Sequence, residues 1–267
     1  MIEKRKIAMK KFLTLLLALA MVLSLAACGG AASKVELKIL DTEYAIEDYA
    51  ICVAKGNSLL ADINKALAEL KSDGTLDAIV KYYISGEGTA PAFQQNVAAN
   101  APTLTMATNA YFPPYEYYEN DKIIGIDADV AAAIADKLGM KLVISDMDFG
   151  AILAAVQTGK ADMGMAGITV TEERKQSVDF SDTYATGIQS VIVKADSDIK
   201  SIDDLYNKKK IGVQENTTGD IYSTDDFGEE NVKRFSKGND AILALKNGQI
   251  DAVIIDNEPA KAFVAAN

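Results

Sequence analysis

Short apolar runs alternate along the chain with segments whose apolar residues recur at helical spacing. Runs at 104–107, 142–144 and 162–165 predict strands, and Ile126, Val130, Ile134 and Leu138 lie on one helical face closed by Gly139. The alternation resumes after residue 189. A strand is predicted at 190–193, a capped helix opening at Ser201, a strand at 211–213, a helix at 241–246 ended by Gly248, and a strand at 250–255. Strands that alternate with helices make an α/β protein, and two such blocks ask for two cores. The extended stretch 187–193 is the candidate crossover between them. Residues 85–102, rich in Gly, Pro, Ala, Gln and Asn, read as a linker.

The first 27 residues follow another pattern. Lys4, Arg5, Lys6, Lys10 and Lys11 precede an apolar run from Phe12 to Ala27 broken only by Thr14 and Ser24. A basic start followed by an apolar stretch shorter than a membrane span is a signal peptide. Small residues surround Cys28 in Leu25-Ala26-Ala27-Cys28-Gly29-Gly30, which resembles the lipobox of bacterial lipoproteins and implies cleavage before Cys28 and its lipidation. The alternative is an uncleaved signal anchor. Residues 28–34 then form a flexible tether, and the protein is expected at the cell surface, lipid-anchored to the outer face of the cytoplasmic membrane.

Composition narrows the chemistry. The 267 residues contain no His, no Trp and two Cys, which excludes His-based triads, His-bearing zinc sites and Cys-rich metal clusters. No metal and no cofactor are expected. With Cys28 lipidated, Cys52 has no disulfide partner, and its apolar surroundings predict a buried, inert thiol. The net charge is −11, and loss of residues 1–27, with five basic residues and one acidic, deepens it to −15. That balance opposes nucleic acid and anionic lipid and favours a small-molecule or protein partner.

Six motifs then stand in a telling order: Ala107-Thr108-Asn109-Ala110-Tyr111-Phe112-Pro113-Pro114-Tyr115-Glu116-Tyr117, Gly125-Ile126-Asp127-Ala128-Asp129-Val130, Ala166-Gly167-Ile168-Thr169-Val170-Thr171-Glu172-Glu173-Arg174, Val178-Asp179-Phe180-Ser181, Gly212-Val213-Gln214-Glu215-Asn216-Thr217-Thr218-Gly219 and Asp251-Ala252-Val253-Ile254-Ile255-Asp256. With them, residues 104–267 resemble the extracellular solute-binding proteins, family 3, which bind polar amino acids for ABC importers. The resemblance implies a two-lobed periplasmic-binding-protein-like (type II) α/β fold with a ligand cleft between lobes and two hinge crossovers. The segments 37–41, 47–51 and the helical 60–83 are similar to the family's closing segment, one lobe-two strand, a return crossover and the last strands and helices of lobe one, here placed first, so the order is that of a circular permutant. Lobe one would span 47–184, containing the linker 85–102 that joins the old ends, and lobe two 33–46 plus 185–267. A strand-swapped dimer is the alternative to a monomer.

The resemblance also implies residue roles. A zwitterion desolvated in a cleft needs charge-assisted hydrogen bonds. Arg174 would clamp the carboxylate, Gly167 would accept from the ammonium, and Thr169 in the same Ala166-to-Thr169 turn would touch both. Asp256, at the carboxyl end of a strand, would hold the ammonium or cap the helix that follows. Thr217 and Thr218 would offer helix-start amides to the carboxylate or serve as an ordinary cap. Selectivity would come from Asn109, Phe112, Phe149 and Gln214, the two rings sandwiching the aliphatic part. Asn109 stands where many relatives carry Asp, and with Gln214 and Ile255 also neutral, the pocket floor reads as uncharged and mildly favours a neutral polar amino acid. Glu215 and Asp220 have no assigned place. The implied partners are a free polar amino acid and ABC permease membrane subunits, the membrane being reached only through the lipid anchor. A sensor without transport and a dehydratase-type enzyme on the same fold are the competing classes; no carboxylate, Lys or Tyr acid/base pair stands out beside Arg174.

Overall fold

A computed structural model describes residues 35–89, 97–98 and 100–267. The signal peptide, Cys28, the tether 28–34 and the middle of the proposed linker lie outside the described residues. The chain opens with β1 (Leu37–Ile39), β2 (Ala45–Tyr49) and β3 (Cys52–Ala54), then α1 (Leu59–Ser72) and α2 (Thr75–Ser85). Next come β4 (Thr103–Thr108), β5 (Tyr111–Phe112), β6 (Glu116–Glu119), β7 (Lys122–Ile124), α3 (Ile126–Leu138) and β8 (Lys141–Asp146). They are followed by α4 (Ile152–Gln157), β9 (Met163–Gly164), α5 (Glu172–Ser177), β10 (Val178–Phe180) and β11 (Ala185–Lys194). The last third carries β12 (Ile211–Gln214), α6 (Thr218–Phe227), β13 (Val232–Phe235), α7 (Gly238–Lys246), β14 (Ala252–Asp256) and α8 (Asn257–Ala266).

These strands form two mixed sheets and a small three-stranded one. The first sheet runs β1-β11-β14-β12-β13 with β2 also on β11, the second runs β10-β3-β9-β4-β8, and β5-β6-β7 is the third. All five residues of β14 are buried. Val253 and Ile255 join one apolar cluster while Ala252 and Ile254 join another, so both faces of the sheet are covered. That double burial is why the strand reads as an unbroken apolar run instead of an alternating one. In α1, Ile63, Ala66, Leu67 and Leu70 supply the buried stripe, and Ile126, Val130 and Ile134 of α3 pack into the same cluster.

Three expected elements differ in detail. The helix expected over 60–83 is two helices, parted at Gly74, where φ is 78°. The helix expected at Ser201 is a 3-10 turn, Ile202–Tyr206, although its Ser201/Asp204 capping box is present. Residue 187 is not where the crossover strand starts: β11 extends back to Ala185.

The chain passes between the two large sheets twice, side by side. Ala45–Tyr49 pairs antiparallel with residues 185–189 of β11, with Tyr49 opposite Ala185. Beyond Tyr49 the chain enters β3 in the second sheet, and β10 of that sheet leads into β11 of the first.

The loop before α3 depends on Gly125, whose φ of 127° favours glycine. A Cβ there would overlap the backbone of Tyr115 and sit 2.8 Å from the Pro114 carbonyl. These two carbonyls accept the first amides of α3, Ile126 N at 3.1 Å and Asp127 N at 2.9 Å. Gly125→Ala is therefore expected to destabilise the fold by about 2 kcal/mol in urea unfolding.

Candidate functional site

The site is built where strand ends of the two large sheets face each other. On the second sheet, β4 ends in a turn held by Ala110 N donating to Asp146 Oδ1 at 2.9 Å, which sets Asn109 and Phe112 in place. Phe112 stacks on Tyr115 with ring centroids 5.7 Å apart. After β9 the chain turns at Gly167, with φ 54° and its amide donating to Asp127 Oδ2 at 2.9 Å. A Cβ on Gly167 would lie 2.8 Å from the Phe112 ring, so glycine lets the turn close against that ring. Thr169 is then pinned to the crossover by its bridge to Tyr49.

The helix α5 starts at Thr171, whose side chain accepts from Arg174 N at 3.1 Å. This cap turns the Arg174 side chain inward, where only 7% of the residue is exposed. Its guanidinium donates to the Thr169 carbonyl at 3.0 Å and to the Asn216 carbonyl at 3.1 Å, and lies 5.4 Å from the Phe149 ring centroid. Thr169 belongs to one side of the cleft and Asn216 to the other, so Arg174 spans it.

The first sheet contributes Gln214 at the end of β12, then Asn216 with a φ of 66°, which asparagine tolerates. Thr217 is the N-cap of α6 and accepts from Asp220 N at 3.4 Å, so its ordinary capping role is real. Thr218 Oγ1 lies 3.3 Å from Thr169 Oγ1 across the cleft. Asp256 precedes α8 but makes no side-chain cap; its carboxylate accepts from the Tyr49 hydroxyl.

All eleven residues named from the sequence line one cavity of about 20 Å³, together with Glu116. That is room for about one water, so a solute of amino-acid size enters only if the two sides move apart. Arg174 and Asp256 come from opposite sides.

The floor also holds a buried titratable group to which the sequence reading gave no role: Glu116, at the start of β6, lines it with no exposed surface. Its signal was faint, a single inward position in a strand whose later residues face outward. The amides of Asn109 and Gln214, expected to select side chains, both line the cavity and are bonded to each other. Gln214 Nε2 donates to Asn109 Oδ1 at 2.9 Å, and Asn109 Nδ2 donates to the Met147 carbonyl at 2.8 Å. Asp220 also finds a place, bonded through both oxygens to Arg234 Nε at 2.8 and 3.0 Å, while Glu215 is exposed.

The electrostatics are dominated by buried carboxyls. Burial first, and the neighbouring Asp127 second, push Glu116 well above the usual carboxylate range, and neither of its oxygens meets a donor. Protonated, it donates to Asp127. Burial raises Asp127 to about 6, against the opposing hydrogen bonds from Gly167 and Tyr184. Asp256 rises to about 8 through burial and then the charge of Glu47, a buried residue of β2. Cys52 is buried, and burial lifts its thiol to about 12. Among the described residues, no cluster of His, Cys, Asp or Glu is placed to hold a metal, and no helix is long and apolar enough to cross a membrane.

Known proteins are similar to this chain in sequence and in structure. The chain is 35% identical over 168 residues to the arginine-binding extracellular protein ArtP of Bacillus subtilis, covering 61% of this chain and 65% of that protein. It thus spans just under two thirds of that relative's length. The arginine-bound form of truncated ArgBP from T. maritima is similar in structure, with a TM-score of 0.59 and 42% identity over 62% of this chain and 78% of that one. So is ArtJ, the arginine-, lysine-, histidine-binding protein from Geobacillus stearothermophilus, with a TM-score of 0.59 and 39% identity over 62% of this chain and 71% of that one. Residues 104–263 match the model of one family, and on that match the chain belongs to the bacterial extracellular solute-binding proteins, family 3.

Proposed function

We propose that this protein captures a polar amino acid by closure of its cleft and delivers it to an ABC permease, and that the preferred side chain is cationic. The observation that carries this reading is the convergence of one buried guanidinium and two buried carboxyls, Arg174, Asp256 and Glu116, on a single cavity between two sheets. Arg174 binds the solute's carboxylate, Asp256 and the Gly167 carbonyl hold its ammonium, and Phe112 and Phe149 flank the aliphatic stem. Glu116 meets the far end. A carboxyl buried without a donor gains most from a solute that brings one, and a cationic donor also favours its ionised form. The arginine, lysine and histidine in the names of similar proteins support the same class.

Closure bends the paired strands β2 and β11, the paired crossovers between the sheets. Lobe one is taken as 47–184 and lobe two as 33–46 plus 185–267. The protein works without catalysis, as a monomer tethered through Cys28. The segment order is that of a circular permutant. In support, β3 lies between β10 and β9, β1 and β2 line β11, and α8 packs on β1, so residues preceding the matched stretch 104–263 complete both sheets.

The test is thermal unfolding of residues 29–267 with each of the twenty amino acids, ornithine and cystine. A solute at a hundred times its Kd adds about 2.7 kcal/mol, a rise of roughly 5 to 10 °C for a chain of this size. Arginine, lysine or histidine is expected to give the largest rise, and Glu116→Gln to reduce it selectively. A rise with neutral amino acids alone would remove the cationic preference. No rise with any would remove amino-acid capture.

A further inference from the structure

At the cleft rim, outside the cavity, a lysine from one sheet sits on an aromatic ring from the other. Lys237, the residue before α7, places its Nζ 3.5 Å from the ring centroid of Tyr111 in β5. Both residues are half-buried, and neither lines the cavity. No carboxylate among the described residues forms a salt bridge with Lys237; its close partner is the Tyr111 side chain, ring and hydroxyl together, with the charges of Asp240 and Asp146 farther off. The ring is itself braced: Tyr111 packs against Tyr118 at 6.2 Å, and the Tyr118 hydroxyl donates to Asp146 at 3.1 Å.

The contact is the outer layer of a two-layer seam. Beneath it lies the Asn109–Gln214 amide pair, and the two layers are joined on both sides. Tyr111 N donates to the Asn109 carbonyl at 2.7 Å, and Gln214 Nε2 also donates to the carbonyl of Ser236, the neighbour of Lys237, at 3.2 Å. The turn 109–111 of one sheet therefore meets residues 214 and 236–237 of the other through a buried amide bond and a cation–π contact. Opening the cleft must break both.

We propose that Lys237 and Tyr111 form a clasp that sets the affinity for the captured solute by holding the cleft closed, without touching the solute. The clasp rests on the proposed capture by closure, but its effect on closure is measurable without any solute. A contact present only in the closed arrangement stabilises it with or without solute, so its loss lowers the closed-to-open ratio and speeds solute escape by the same factor. A partly desolvated cation–π pair corresponds to about a five-fold change.

The experiment places spin labels at Lys160→Cys and Asn247→Cys, exposed positions on the two sides, and measures their distance distribution in solute-free protein. Cys52 is buried and does not take the label. Lys237→Met, which keeps the stem and removes the charge, and Tyr111→Leu are each expected to shift the distribution toward the open arrangement. Both should raise koff about five-fold and the Kd for any amino acid that binds by up to that factor, with the ranking of amino acids unchanged. Lys237→Arg should retain the closed population, and Tyr111→Phe, which keeps the ring but loses the hydroxyl beside Lys237, should retain most of it. An unchanged distribution in Lys237→Met overturns the clasp, as does a Tyr111→Phe variant that opens as far as Tyr111→Leu, or a change in ranking. If no amino acid binds at all, capture fails while the distance distribution still decides the clasp.

Discussion

Replacing Arg174 by alanine is expected to weaken binding of the cognate amino acid by about a hundred- to a thousand-fold in isothermal titration at neutral pH. A solute carboxylate taken into this closed cavity loses its water, and among the described residues the guanidinium is the only cationic side chain lining it. Truncating one partner of such a buried, hydrogen-bonded charge pair costs several kcal/mol, most of it the penalty of leaving the other charge unpaired. Arg174→Lys is expected to rescue little. The guanidinium already serves the Thr169 and Asn216 carbonyls and keeps donors for a third group, whereas one ammonium cannot match that planar geometry. The solute-free fold should lose only a few degrees of melting temperature, because the two carbonyls lose a donor while the cost of burying the charge disappears with it. Unchanged affinity in Arg174→Ala would refute the proposed carboxylate clamp.

Much of this site was legible because its parts are local. A glycine at a strand end, a threonine two residues on and an arginine at the first turn of a short helix fall within 167–174, and the structure brings them together as that spacing suggests. The apolar run ending at Asp256 likewise announced a buried strand. Other features were hidden for a common reason. Tyr49 and Asp256 are hydrogen-bonded across 207 positions, and Asn109 and Gln214 across 105, so no window of sequence contains both partners. Two neutral amides were each read alone as selectors, and their bond to one another across the cleft could not be seen that way. Glu116 was overlooked because the side of β6 it faces is set by the turn before α3 and the φ of Gly125, not by any alternation long enough to read. The split of the first long helix turns on Gly74, which a helical pattern tolerates at modest cost until a left-handed turn is required there.

The buried carboxyls make stability depend on pH in an unusual direction. In the folded chain, Asp256 lies at about 8, Asp127 at about 6, and Glu116 well above its ordinary value, whereas unfolded carboxyls titrate near 4. Between those limits the folded state holds more protons than the unfolded one, so the stability these groups supply is fully present below about pH 4 and is lost as pH rises toward 8. Carboxyls shifted the other way, Asp73, Asp179, Asp204 and Glu229, are ionised in both states above pH 5 and leave this window unaffected. Solute-free protein is therefore expected to melt higher at pH 5 than at pH 8.5, by roughly 5 to 10 °C for a difference of a few kcal/mol, and Asp256→Asn to flatten that slope. A cationic amino acid reverses the balance, since its ammonium and side chain favour ionised Asp256 and Glu116 and drive their protons off. Its stabilising effect should then grow with pH across the same window, and titration in buffers of different ionisation enthalpy should register about one to two protons released per solute bound. A solute-free protein that instead melts higher at pH 8.5 would mean that these carboxyls are ionised and solvated at the cleft, and the proton-linked part of the mechanism would be wrong.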